Sequence, residues 1–385
     1  MPPRVAAIAG IGYTKYTRST QASLAGLALE ASLNAVEDAG MSIRDIDGLV
    51  CYHQNDSVLV RDVSTSLGIK ELRWWSDILA GGTFNCAVIA QAAMAIESGL
   101  ANNVVVYRAL KGRSGKRMGR YRASLADGVH QFMTPFGFST PAEIFGMTCR
   151  RHMHEYGTTR EQLGRVAVTE RLHASLNDRA VMRQALTMEE YLAGRIIADP
   201  YTLFDCCQET DGACAVVLTS SERAQSAPHG PVFILGAVHG GGSVPRVPFD
   251  GWPDLSISAF PRLATELFER ARIAPSDVDV ALLYDAFTFE VIQQIEDFGF
   301  CEPGEGGPFV EDGNIALTGR LPVNPHGGLL SEAYIHGLNH VIEAVQQLRS
   351  EAGSRQVRGA EVALVTGFGF CAGSAMLLGG ASAAP

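Results

Sequence analysis

The order of elements in this chain is written twice, and that repetition leaves few folds open. In residues 22–39, Leu24, Leu27, Ala28, Ala31, Ala35 and Ala39 recur at helical spacing. Gly40 stops that helix as a C′ residue does, Asp45-Ile46-Asp47 follows, and Leu49-Val50 opens a strand. Late in the chain 261–273 reads as a helix, Asp277-Val278-Asp279 follows, and 280–284 is a run of strand formers. The next pair also recurs. An Ala-rich helix over 84–98 leads to a strand at 104–107, and a helix over about 335–350 leads to a strand at 360–365. Helices alternating with short apolar strands predict α/β layers. Repetition at this long period predicts two like halves. The seam falls in the polar stretch 220–231, giving halves 1–220 and 231–385. Residues 108–160 break the first half with Gly, Pro, Phe and basic residues at no clear period. Such excursions from a sheet carry function.

Composition narrows the function. The 385 residues hold 31 basic and 41 acidic side chains, a net charge of −10. A field of that sign repels phosphate backbones, which excludes a general nucleic-acid binder. No apolar run reaches the roughly 18 residues of a membrane helix. The opening residues lack an h-region and a cleavage site, so they read as a first strand rather than a signal peptide. Eight cysteines are too sparse for a disulfide scaffold, and no C-x-x-C pair occurs. Cys206 and Cys207 are adjacent, and His152 and His154 would face different sides of a helix, so no metal site is expected. A reducing cytoplasm is the expected compartment.

Several motifs now become legible together: A-I-A-G-I-G at 7–12, D-I-D-G-L-V at 45–50, D-G-A-C-A-V-V-L at 211–218, Y-D-A-F-T-F at 284–289, N-P-H-G-G at 324–328 and G-F-G-F-C-A-G-S-A-M at 367–376. With them the whole chain resembles the thiolase superfamily, in its sterol-carrier-protein-type, lipid-transfer branch. Within that branch it is similar to bacterial steroid side-chain-cleaving aldolases. The resemblance implies a duplicated five-layer α-β-α-β-α fold, usually dimeric. It also implies where catalytic groups belong. Counting back from Ala95-Ile96-Glu97-Ser98-Gly99, the nucleophilic Cys of a thiolase falls on Gly82. The activating His falls on Tyr334, the water-positioning Asn on Tyr284, and the second Cys on Gly367, with Cys371 four residues further on. A rival register, shortening the helix by a turn, would make Cys86 the nucleophile.

A thioester site without a nucleophile suits retro-aldol cleavage of a bulky β-hydroxyacyl-CoA of the steroid side-chain type. That reaction needs a base, an acid and an oxyanion hole, and no acyl-enzyme. Tyr284 and Tyr334 are the expected catalytic pair, with His326 and His336 as secondary candidates. Gly327, Gly328, Gly367 and Gly369 are candidate backbone donors, because glycine lets a backbone approach a ligand closely. The uninterrupted basic run Arg108, Lys111, Arg113, Lys116, Arg117, Arg120 and Arg122 suits CoA phosphates, with docking of an acidic partner as its rival. The resemblance further implies a small partner of the DUF35 type, built from an OB-fold and a zinc ribbon, and exposed aromatics among Trp74, Trp75, Phe132, Phe136 and Phe138 could meet it. No cofactor or metal is expected in this chain. A thiolase using Cys86 and a non-catalytic lipid or acyl-CoA binder are the alternatives.

Overall fold

The computed structural model describes residues 5–115, 117, 130–241 and 255–383. Its strands are β1 (Ala6–Tyr13), β2 (Gly48–His53), β3 (Trp74–Leu79), β4 (Asn103–Lys111), β5 (Ile196–Ala198), β6 (Tyr201–Thr202), β7 (Asp211–Ser220), β8 (Val232–Gly241), β9 (Val280–Leu282), β10 (Val362–Gly367) and β11 (Ala372–Gly379). Nine of them join in the order β3-β2-β4-β7-β1-β8-β11-β10-β9. Leaving aside the edge strand β3, which pairs in parallel with β2, the sets β2-β4-β7-β1 and β9-β10-β11-β8 have the same arrangement, one parallel pair followed by antiparallel ones. Among the described residues the two sets pair through Ala7 with Phe233 and Ile8 with Val232.

The repeated Asp-x-Asp has a repeated task. Asp45 and Asp277 each accept from a backbone amide three residues back, Ser42 N at 2.9 Å and Ala274 N at 2.8 Å. Asp47 then accepts from the amides of Asn102 and Asn103 at 2.8 and 2.9 Å, and Asp279 from those of Glu361 and Val362 at 2.8 and 2.9 Å. In both halves the second carboxylate satisfies the amides that lead into the neighbouring parallel strand, and so fixes where that strand starts.

Helices Leu24–Asp38 and Phe260–Ala271 cover the outer faces. At Gly10 and Gly12 an added Cβ would come 2.3 Å from the carbonyls of Ala35 and Ala31, so bare backbone lets strand and outer helix meet. Helices Asn85–Glu97 and Leu338–Leu348 lie between the two sets of strands and touch both. Both are buried on nearly every side, as a middle layer must be. The layers therefore run α-β-α-β-α, the fold class the sequence implied.

Two boundaries differ from expectation. β4 continues to Lys111 and its partner β7 begins only at Asp211, so Arg108 and Lys111 are sheet residues and the excursion spans 112–210. It includes helices Pro141–Tyr156 and Arg160–Ser175, whose capping boxes at Thr140 and Thr159 mark their starts. The strand expected to run to Tyr284 stops at Leu282, because the Tyr284 amide turns away to the Thr366 hydroxyl at 2.8 Å. Among the described residues no helix is long and apolar enough to cross a membrane, and none of the eight cysteines is in a disulfide.

Candidate active site

The C-terminal ends of β9 and β10 and the start of helix Asn85–Glu97 converge at one place. Tyr284 arrives just after β9. Its amide donates to Thr366 and its carbonyl accepts from Gln294 at 2.8 Å, while Thr366 Oγ1 donates to Gln294 at 2.6 Å. Tyr334 arrives after a π-helical turn, Gly328–Glu332, with its amide held by Thr210 Oγ1 at 2.9 Å. The two phenol oxygens are 2.9 Å apart, and the rings stand at 67°. The sequence places these residues 50 positions apart; the fold puts them in one hydrogen bond.

Gly82 lies beside them. A Cβ there would come 2.0 Å from Tyr284 Oη, and one on Gly337, itself at φ +79°, would come 3.1 Å from the same ring. The Tyr284 phenol thus fills the space in which a side chain at position 82 would stand. Asn85, at the head of the helix, donates to the carbonyls of Gly337 at 3.1 Å and Thr366 at 2.9 Å and ties the first half to the second. Sequence reasoning missed Asn85; its one signal was an amide at the head of an otherwise apolar, fully buried helix.

Cys86 is not in this site. It is buried, its thiol donates to the Val365 carbonyl at 3.3 Å, and burial pushes its pKa far above the ordinary value. The shortened-helix register is therefore corrected: the thiol points into the core at β10. Burial also raises both phenols. Tyr284 is held up by burial and by the neighbouring Tyr334, so it is neutral at pH 7. Tyr334 is raised by burial and by Cys207, with the Tyr284 hydrogen bond and the Arg108 charge working the other way.

The two secondary histidines are corrected as bases. His326 is buried, its Nε2 lies 3.1 Å from His340 Nδ1, and burial and that neighbour lower its pKa well below the ordinary value. His336 is pushed down to about 3 by burial and by Arg108, whose guanidinium donates to its Nδ1 at 2.8 Å. An Arg cannot accept, so Nδ1 carries the lone pair and Nε2 the proton. His336 is a donor, not a base.

Gly327 and Gly328 are corrected as oxyanion donors. The Gly327 amide is taken by the Asn324 carbonyl at 2.9 Å, and the amides of Leu329 and Leu330 are taken by Asp285 at 3.0 Å each. A Cβ on Gly328 would come 2.2 Å from the Asp285 carboxyl and 2.5 Å from that of Glu170, so acidic side chains already fill the space beside it. Gly367 and Gly369 do face the start of the helix: their Cβ directions meet Asn85, the Gly82 carbonyl and Thr83.

A cavity of about 310 Å³ opens beside Tyr334, which is half-buried in its wall. Leu110, Ala142, Leu203, Cys207 and Phe287 give it apolar sides. Among the described residues four arginines line it: Arg113 and Arg117 from the basic run, and Arg18 and Arg195 from distant loops. Nothing in the sequence marks the last two, because isolated arginines gain meaning only when the fold gathers them. Glu209 pairs with Arg117 and lies 3.7 Å from Arg113. Lys111 is near this region, its ammonium on the Ala22 carbonyl at 3.0 Å. Arg108 is corrected as a phosphate ligand: it is fully buried, paired with Asp56 at 2.7 Å, and cannot reach solvent. Lys116, Arg120 and Arg122 lie outside the described residues.

Comparison with known proteins gives the same frame. Residues 241–378 match the family described as Thiolase C-terminal domain-like. The chain is 43% identical to a steroid side-chain-cleaving aldolase of Thermomonospora curvata, over 90% of this chain and 91% of that one. It is 40% identical to the 17-hydroxy-3-oxo-4-pregnene-20-carboxyl-CoA lyase of Mycobacterium tuberculosis, over 94% and 95% of the two chains. The solved structure of an Ltp2-ChsH2(DUF35) aldolase superposes with a TM-score of 0.92 at 40% identity, covering 98% of each chain. At 43% and 40% identity over nine-tenths or more of its length, the chain belongs to the thiolase superfamily, in its branch of steroid side-chain-cleaving aldolases.

Proposed function

We propose that this chain is a carbon–carbon lyase that cleaves a steroid β-hydroxyacyl-CoA by a retro-aldol reaction, yielding a 17-ketosteroid and propionyl-CoA. The observation that supports it most is the Tyr284 hydroxyl, standing where a thiolase nucleophile would be and bonded to Tyr334 at 2.9 Å. One phenol oxygen accepts the proton of the substrate's β-hydroxyl as its own proton passes along the hydrogen bond to the second phenol. The Cα–Cβ bond breaks, its electron pair moves to Cα and spreads onto the thioester oxygen, and the carbinol carbon becomes a ketone. The second phenol then protonates Cα. Substrate hydroxyl loses one proton and Cα gains one, so the reaction is balanced without a co-reactant or cofactor. The hydrogen bond between the phenols lets the proton gained by one replace the proton given by the other.

The cavity beside Tyr334 would hold the apolar part of the acyl group, with Arg113, Arg117, Arg18 and Arg195 at hand for the CoA phosphates. A DUF35-type partner is part of this reading, supported by the likeness to the Ltp2-ChsH2(DUF35) aldolase. A dimer is also part of it. β3 is an edge strand and its Trp75 and Leu79 are 56% and 72% exposed, an open edge suited to pairing with a second copy. Phe132 and Phe136 are exposed and suit the partner. A cytoplasmic location completes the reading, because the proposed substrate is a CoA thioester.

The test is direct. The purified chain, with the DUF35 protein from its own genome, is given 17-hydroxy-3-oxo-4-pregnene-20-carboxyl-CoA. Formation of the 17-ketosteroid with propionyl-CoA supports the reading. Binding without turnover leaves a non-catalytic acyl-CoA binder, and an acyl-enzyme trapped on Cys86 restores the thiolase.

A further inference from the structure

We propose that Arg108 is a positioning residue for the cleavage, acting through His336 to make Tyr334 rather than Tyr284 the phenol that accepts the substrate's proton. The inference rests on the lyase reading above. Arg108 is central in β4 and fully buried, and all of its guanidinium is engaged. Nη2 donates to Asp56 at 2.7 Å and to His336 Nδ1 at 2.8 Å, Nη1 to the Ala109 carbonyl at 2.8 Å, and Nε lies 3.2 Å from the same Nδ1. Burial works against the charge on Asp56, but Arg108 and the Gln54 amide outweigh it and hold its carboxyl below the usual range. A buried ion pair is a costly way to stabilise a core, because apolar residues of like volume do as well. Its retention here needs another reason.

His336 supplies one. Its backbone is in the left-handed region at φ +50°, uncommon for a residue with a Cβ, and Tyr52 Oη donates to its carbonyl at 2.8 Å. Arg108 takes Nδ1, so the ring is locked as the neutral Nε2–H form. That ring stands at 88° to the Tyr334 ring with centroids 5.0 Å apart. Tyr334 therefore has a fixed cation beyond an oriented imidazole on one side. On its other sides are Tyr284, whose hydroxyl bonds it, and Cys207 and Glu290; Glu209, Arg113 and Arg117 share its cavity. On Tyr284 the leading influences, burial and then Tyr334, Cys207 and Glu290, all oppose ionisation. The asymmetry favours negative charge on Tyr334 and a proton on Tyr284.

Arg108→Ala in the full chain with its DUF35 protein is the first variant, assayed on the steroid CoA thioester with added guanidinium or with urea, its neutral isostere. The expected result is a kcat loss of about tenfold or more, the worth of one pKa unit, with KM moved far less. Millimolar guanidinium should restore part of it, and urea none. Recovery by both compounds, recovery by neither, or a folded Arg108→Ala within a factor of a few of wild type overturns the proposal. His336→Asn guards against an Arg108 variant that does not fold, because Asn tolerates positive φ and leaves the Arg108–Asp56 pair in place. It should lose kcat in the same way, and near wild-type turnover overturns the proposal equally. If the unaltered protein itself does not cleave the substrate, it is the lyase reading that has failed.

Discussion

A Cβ on Gly82 would stand 2.0 Å from the phenol oxygen of Tyr284. The two positions compete for one volume, so a side chain at 82 and a hydroxyl at 284 exclude each other. Gly82→Ala should therefore expel the phenol and lower turnover at least as far as Tyr284→Phe does. Steady-state kinetics on both variants check this. A Gly82→Ala enzyme with near wild-type kcat would separate Tyr284 from the reaction.

Tyr334→Phe and Tyr284→Phe keep each ring and remove only the oxygen. Each should reduce kcat by roughly 10²–10⁴-fold, the usual size of general acid–base catalysis, with much smaller changes in substrate affinity. Circular dichroism and sizing should be unchanged. The opposite split, altered KM with turnover intact, would mean that the phenols only line the pocket.

Cys86→Ala should leave most of the activity, because its thiol is buried against the Val365 carbonyl. The cost should appear in stability, about 1 kcal/mol by thermal or denaturant unfolding. Iodoacetamide should not label Cys86 in the folded protein, and mass spectrometry reads this directly.

Reversing Arg113 and Arg117 to Glu should weaken binding of acyl-CoA and make the remaining affinity less sensitive to salt. Titration of the enzyme with free CoA at two ionic strengths measures both. Unchanged CoA affinity with reduced binding of the DUF35 protein would assign these arginines to the partner.

Asp297 gives a pH dependence. Burial lifts its carboxyl to about 7, although the Ser258 hydroxyl at 2.5 Å and the Gln293 amide at 3.0 Å donate to it. Between the unfolded carboxyl value near 4 and about 7 the folded state keeps a proton that the unfolded chain has lost. Stability from this group therefore falls as pH rises through that window and is level above it. Asp297→Asn removes that titration. The Tm of wild type minus that of the variant should fall from about pH 4 to about pH 7. A difference independent of pH would show that Asp297 is ionised when folded.

Much of this was legible in the chain. Short apolar runs, Ala-rich helices and the paired Asp-x-Asp signals foretold the layers and the repeat, because each reflects a local rule: periodicity, burial on both faces, or a carboxylate holding nearby amides. Tyr284, Tyr334 and Gly82 could be found by register against known motifs. Illegible were the properties set by long-range contact. Arg108 looked like the head of a basic loop, and only the ladder with β7 shows it turned inward beside Asp56. Gly327 and Gly328 looked like oxyanion donors, and only the fold puts Asp285 and Glu170 against them. Arg18 and Arg195 carried no signal at all.

The two-pair seam between β1 and β8 has a geometric consequence. Fold two identical halves against each other about a twofold axis and every corner occurs twice. In this chain both corners remain, with different occupants. Tyr284, from beyond β9, reaches the start of helix Asn85–Glu97 at Gly82. Tyr52, from β2, reaches the residues before helix Leu338–Leu348 and bonds the His336 carbonyl. The two corners are built from like parts and carry unlike loads: a phenol meets a bare glycine backbone at one, and a phenol braces a carbonyl at the other.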